Sequence, residues 1–172
     1  MKNVWKPFLL ALTLSVLLVG CNKPVAEQIE KGLVSAETTF TSEAMEITHE
    51  VGDIEVYMPR GYEIEAGSAE MNYVVSKGDD SYILFVNTLE QEDSQLHYDN
   101  LIAVQKDKLV EEQTYMNDDV FGFTAVIQHN EEQFELVVSN GGIKMTTLSD
   151  NKKIDQKLQA MMEIVRSVKV KQ

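Results

Sequence analysis

Phe134-Glu135-Leu136-Val137-Val138-Ser139-Asn140-Gly141-Gly142-Ile143-Lys144-Met145-Thr146-Thr147-Leu148 is the stretch that decides the fold. Phe134, Leu136 and Val138 alternate along it, with Glu135 between the first two, which is the period of a strand with one face in a core. Asn140-Gly141 supplies the positive φ angles that a tight turn requires, so Ile143 to Leu148 is expected to return antiparallel. Immediately before it, Phe121, Phe123, Ala125 and Ile127 alternate in the same way and predict another strand.

Further toward the N-terminus, Tyr82-Ile83-Leu84-Phe85-Val86 is apolar without a break, which predicts a central strand covered on both faces. Met71 to Ser76 precedes it across the turn Lys77-Gly78-Asp79-Asp80, and Ile54, Val56 and Met58 form an earlier strand ended by Pro59-Arg60-Gly61. Between the strands, Ser94 to Glu112 predicts a helix capped by Asp93 or Ser94, with Tyr98, Leu101, Ile102 and Leu109 facing inward. After Leu148, Ser149 or Asp150 is positioned to cap a closing helix in which Ile154, Leu158, Met161 and Val165 make one apolar stripe. The fold class expected is α+β: a mostly antiparallel sheet of six to seven strands packed by two helices, in one domain over residues 45–172.

The N-terminus reads differently. Lys2 and Lys6 precede an apolar stretch from Phe8 to Val19 that is short for a bilayer span. It ends in Leu18-Val19-Gly20-Cys21, which resembles the lipobox of bacterial lipoproteins. That resemblance implies a signal peptide over residues 1–20, cleavage after small Gly20, and diacylglycerol in thioether linkage to Cys21. Two acyl chains hold a protein firmly where one binds only marginally. The expected location is the extracytoplasmic side of the cell membrane. Residues 21–44 are polar and rich in Glu, Thr and Ser, and read as a tether, helical at most near Ala26 to Lys31. A flexible coil of that length would give a reach of about 25 Å.

After removal of residues 1–20 the chain has 13 basic and 28 acidic residues, a net charge of −15, which argues against binding nucleic acid and against lying flat on anionic lipid. Residues 144–172 alone are net +4, a pattern that reads first as the solvated face of a helix and second as a cationic face for an anionic partner. Cys21 is the only cysteine, so thiol catalysis, disulfides and iron–sulfur chemistry are excluded from an acylated mature domain. A core without disulfides is feasible at this length.

Pro59-Arg60-Gly61-Tyr62 after the first long strand resembles the Pro-x-Gly-Trp/Tyr step of PsbP-like domains, the group that includes Mog-like and DcrB-like proteins. Met162-Glu163-Ile164-Val165-Arg166-Ser167-Val168 resembles their terminal helix, which ends in an aliphatic-x-Ser-aliphatic pattern. Tyr62 stands where tryptophan is commoner. The resemblance implies an α/β/α sandwich and accessory or binding roles, and it brings no catalytic residue.

Motifs for chemistry fail on their spacing. His49-Glu50 begins like a zinc-protease helix, but Asp53 stands where the second histidine belongs. His97 and Asp99 diverge on a helix at i and i+2, and both read as surface residues. Asn117 to Gln128 starts like a calcium loop, yet Phe121 and Gln128 replace ligands, leaving at most a weak contact through Asp118 and Asp119. Gly67-Ser68-Ala69 lacks the second glycine of a nucleophile elbow. The expectation is a non-enzymatic envelope module with no catalytic or metal site and no cofactor beyond the lipid on Cys21. Its partner would be an envelope protein, met at sheet edges or at the loops around Asp79-Asp80 and Asp118-Asp119. The alternative is a small-ligand or metal-ion lipoprotein with a pocket between the sheet and one helix.

Trp5 is the only tryptophan and lies in the signal. Protein recovered from membranes is therefore expected to show tyrosine emission alone; tryptophan emission would mean that residues 1–20 are retained.

Overall fold

A computed structural model describes residues 24–171. The hairpin at the centre of the sequence argument pairs as expected: β8 (Phe134–Asn140) and β9 (Ile143–Ser149) run antiparallel, with Asn140 opposite Ile143. The turn residues are Gly141 and Gly142, and the positive φ falls on Gly141, at 55°, while Asn140 closes the strand. The remaining strands are β1 (His49–Val51), β2 (Ile54–Val56), β3 (Glu63–Ala66), β4 (Asn72–Lys77), β5 (Asp80–Val86), β6 (Leu109–Asn117), β7 (Val120–Gln128) and β10 (Lys169–Val170). Seven of them form one antiparallel sheet in the order β3-β4-β5-β9-β8-β7-β6, and β1-β2-β10 form a small second sheet.

Three helices occur among the described residues: α1 (Val25–Thr41), α2 (Leu96–Gln105) and α3 (Ile154–Ser167). α1 and α3 pack on each other and on one face of the large sheet, whose inward rows include Tyr73, Leu84, Met145 and Val138. α2 lies on the other face, where Leu101, Tyr98 and Ile102 meet Phe121, Phe123, Ala125, Ile127 and Val137. The architecture is thus an α+β sandwich with helices on both sides of an antiparallel sheet.

Several expectations need correction. Residues 25–41 are not a tether. Ile29, Leu33, Ala36 and Phe40 recur at helical spacing and are buried, so the domain begins at α1. Phe40 has its ring over Gly122, where an added Cβ would lie 2.9 Å from its Cδ2 and from the Ser139 carbonyl oxygen, and it stacks 5.2 Å from Tyr115. α2 stops at Gln105; a 3-10 turn (Lys106–Lys108) then leads into β6, so Leu109 is extended and not helical. Strand pairing with β7 from Leu109 to Asn117 takes that segment out of the helix.

β5 is interior to the sheet but only partly covered on its outer face, where Phe85 meets His97 of α2 while Ile83 is 44% exposed. The strands buried on both faces are β7 and most of β8, which run between the two layers of helices. Ser149 and Asp150 do not cap α3. Its first free N–H, on Ile154, donates instead to Gln28 Oε1 of α1 at 3.2 Å, and Gln28 Nε2 donates to the Asn151 carbonyl at 3.0 Å.

The opposite ends of the same helices are joined by Arg166 of α3, which donates to the Phe40 carbonyl and, at 2.6 Å, to the Ser42 carbonyl. Ser167 Oγ accepts from the Tyr57 N–H at 2.9 Å and donates to the Ile164 carbonyl at 2.7 Å, which is the work of the serine in the C-terminal pattern. Pro59-Arg60-Gly61-Tyr62 is a turn closed by Tyr62 N–H to the Pro59 carbonyl at 3.0 Å, with Gly61 at φ 82°. The turn delivers buried Tyr62 onto Tyr82, ring centroids 5.7 Å apart.

Truncating Phe40 to alanine in anchorless Cys21→Ala protein should cost about 3–5 kcal/mol in urea unfolding, the usual range for a buried ring. A tether residue would show almost no effect.

Candidate docking surface

The outer face of the sheet is covered unequally. α2 is ten residues long and lies over β7 and β8, reaching β5 through His97 against Phe85 and leaving β4 and most of β5 and β9 without a helix on that side. The pairing registers place Val74, Ile83 and Thr146 in one outward row, with Asn72, Phe85 and Lys144 in the next. Ile83 and Leu148 are 44% and 49% exposed there. They line a shallow trough of about 420 Å³ together with Ser81, Thr146, Glu135 and Asp79. Beside it, a crevice of about 230 Å³ separates α2 from β9, lined by His97, Asn100, Val104 and Lys144, with Val104 82% exposed.

His97 is buried, not a surface residue as its sequence context suggested. Its Nε2–H donates to the Gly142 carbonyl at 3.1 Å and its ring meets Phe85 edge-on at 5.8 Å, so it ties α2 to the β8–β9 turn. Burial holds its pKa below the ordinary histidine value; the Gly142 hydrogen bond and Glu90 oppose that, and Lys144 adds to it.

The other residues singled out in the sequence, and the third histidine, do not converge. His49 is exposed on β1, bonded to the Thr48 hydroxyl at 2.8 Å, and His129 follows β7 in an exposed loop. Among the described residues no three His, Cys, Asp or Glu side chains are grouped so that they could hold a metal ion. Asp118 and Asp119 form the tip of the β6–β7 hairpin, with Asp118 at φ 51°. Because the strands alternate in direction, Asp79 and Asp80 lie at the other end of the sheet, so the two acidic loops do not form one patch.

Nor do the C-terminal cations make one face. Lys157 is buried against Asp80 at 2.8 Å, Lys171 pairs with Glu50 at 3.1 Å, Lys152 with Asp150 at 3.5 Å, and Arg166 serves the α1 carbonyls. The sheet edges are poor templates for strand addition. β3 carries Glu63 and Glu65, and β6 carries Glu111 and Glu112 beside a bulge at Val110. A pocket between sheet and helix does exist, as a groove of about 480 Å³ beside α1 with Ile29, Leu33 and Phe134 at its base. Leu18, Val19, Gly20 and Cys21 lie outside the described residues. No described helix is long and apolar enough to cross a membrane.

No protein-family model matches the sequence, and no curated protein matches it. Among solved structures, the solution structure of cyanobacterial PsbP (CyanoP) from Synechocystis sp. PCC 6803 is similar, with 14% identity, a TM-score of 0.40, and coverage of 69% of this chain and 86% of that one. At that score the likeness carries nothing about function, and the fold rests on the pairing and layering described above.

The bare half-face and the trough are the features sequence reasoning missed. Their signal was Ile83, which with Phe85 faces away from Tyr82 and Leu84 in the apolar run and is the more exposed of the two.

The sign of the His97 effect is fixed by its depressed pKa. The unfolded chain takes up the proton first, so stability is complete above about pH 6.5 and falls as pH drops below it toward the lower folded value. Urea unfolding at about pH 7 and about pH 5.5 should show a smaller loss for His97→Gln than for the parent. Equal losses would remove His97 as the cause.

Proposed function

We propose that this chain is an exported lipoprotein, held on the extracytoplasmic side of the cell membrane by diacylglycerol on Cys21, and that it acts as a non-enzymatic binding or assembly-accessory module for another envelope protein. The observation that carries the binding reading is the uncovered half of the outer sheet face, where Ile83 and Leu148 stand exposed on rigid strands around a trough. Apolar side chains presented together on a sheet surface mark sites of association. Glu135 and Asp79 border the trough and the mature chain is strongly acidic, so the partner surface it fits is apolar with a basic rim.

The lipobox-like Leu18-Val19-Gly20-Cys21 supports the anchor. Reach is a different matter from what a long tether would allow. With α1 beginning at Val25, the domain stays close to its attachment point, and a partner must itself be at the membrane surface. The chemistry of the buried groups supports a non-enzymatic role: His97 holds a turn, Lys157 and Asp80 pair, and Tyr62 and Tyr82 stack, each with its phenol pushed up chiefly by burial.

A photo-crosslinking residue at position 81, exposed on the trough wall of the anchored protein, followed by mass spectrometry, is expected to recover one stoichiometric envelope partner. Ile83→Glu and Leu148→Glu should each abolish that product while changing stability by no more than about 0.5 kcal/mol, as surface changes usually do. Val34→Glu on the exposed side of α1 serves as the control and should leave it intact. Retention of the partner in both trough variants, or recovery of the protein alone, would refute the docking surface.

A further inference from the structure

The groove beside α1 lies at one end of the domain, and the chain places that end. α1 starts at Val25, and only Asn22, Lys23 and Pro24 separate it from Cys21. Four Cα steps span at most about 14 Å even when fully extended. The groove opens at the same place: Val25 and Ala26 form part of its wall, Ile29, Leu33 and Phe134 its base, and Val110, 39% exposed at the start of β6, its opposite wall. Its charged lining residues are Glu30 and Glu111, and the nearby Lys31 ammonium is paired with Glu27. An apolar base suits a neutral hydrocarbon chain, while the acidic rim, with Asp79 and Asp80 at the same end of the sheet, disfavours free anions and fits a zwitterionic lipid surface better than an anionic one.

We infer that this end of the domain rests on the leaflet that carries the anchor, and that the groove takes up acyl chains of the surrounding lipid. The inference rests on the lipoprotein reading of Cys21. It makes the bilayer a second contact of the domain, besides the covalent lipid. The opposite end then points away: the Gly141 turn, the Asp118-Asp119 tip and the segment around Leu89 sit at the other ends of the same strands. β7 runs nine residues between the two ends, so the far tips stand roughly 30 Å from the lipid surface. The trough around Ile83 opens sideways, along the membrane, where a membrane-bound partner would be met.

The absence of tryptophan from the mature chain makes a direct test available. Single-tryptophan variants Val110→Trp and Val25→Trp report the groove, and Leu89→Trp, at a position 88% exposed, reports the far end. Each is produced as the full precursor, processed in cells, purified from membranes, checked by mass for acylation, and reconstituted into vesicles of brominated phosphatidylcholine. The expected result is blue-shifted emission quenched by the brominated chains for both groove reporters, with red-shifted, unquenched emission for Leu89→Trp. Acylated protein with unquenched groove reporters overturns this inference alone; blue-shifted but unquenched emission would assign the groove to the protein's own acyl chain or another ligand. Protein recovered without any acyl group overturns the anchor reading and this inference together.

Discussion

Two parallel helices cap each other, and the rest of the molecule is arranged around that exchange. Gln28 of α1 accepts from the first free N–H of α3 and donates to the chain just before it, while Arg166 of α3 donates to the carbonyls at the end of α1. Each contact satisfies helix-terminal groups that the helix itself cannot. A cap is worth about 0.5–2 kcal/mol, whereas burying each of Ile29, Leu33 and Phe40 is worth about 1.5–3 kcal/mol. Packing therefore stabilises the pair more than capping does. The caps contribute alignment: they fix how far one helix slides along the other, and so where Phe40 meets Gly122 and where Val25 emerges.

The pair also explains why the two faces of the sheet differ. Both long helices lie on one side and complete the main core, in which Leu84, Met145, Leu136 and Val126 are fully covered. The other side has only α2, cut short when the chain leaves at Gln105 to form the edge strand β6. β6 in turn supplies Tyr115, which stacks on Phe40 and whose hydroxyl donates to the Leu33 carbonyl at 3.4 Å. Segment 109–117 thus closes the core on one face at the expense of cover on the other. The exposed trough is a consequence of that division.

Strands with strong local signals are legible from the residues alone. Alternation along Phe134 to Val138 and Phe121 to Ile127 is a property of neighbouring residues, and so is the turn chemistry of Gly141. The apolar stripe Ile154, Leu158, Met161, Val165 likewise identifies α3. α1 carries a comparable stripe at Ile29, Leu33, Ala36 and Phe40, but its solvent side is so rich in Glu, Thr and Ser that composition masks the spacing. β6 is harder still: Val110-Glu111-Glu112-Gln113 favours helix locally, and only the partner strand β7 makes it extended.

The sequence by itself determined the α+β class, the central hairpin, the acidic balance and the lipobox-like Cys21, because each is written in adjacent residues or in a simple sum. Only the tertiary structure decided that residues 25–41 belong to the core, that His97 is buried, that the two acidic loops lie at opposite ends, and that half of one sheet face is bare. Those outcomes depend on which surfaces find cover, and cover is a relation between segments far apart in the chain, such as Gln28 with Ile154 and Arg166 with Phe40, that no local pattern records.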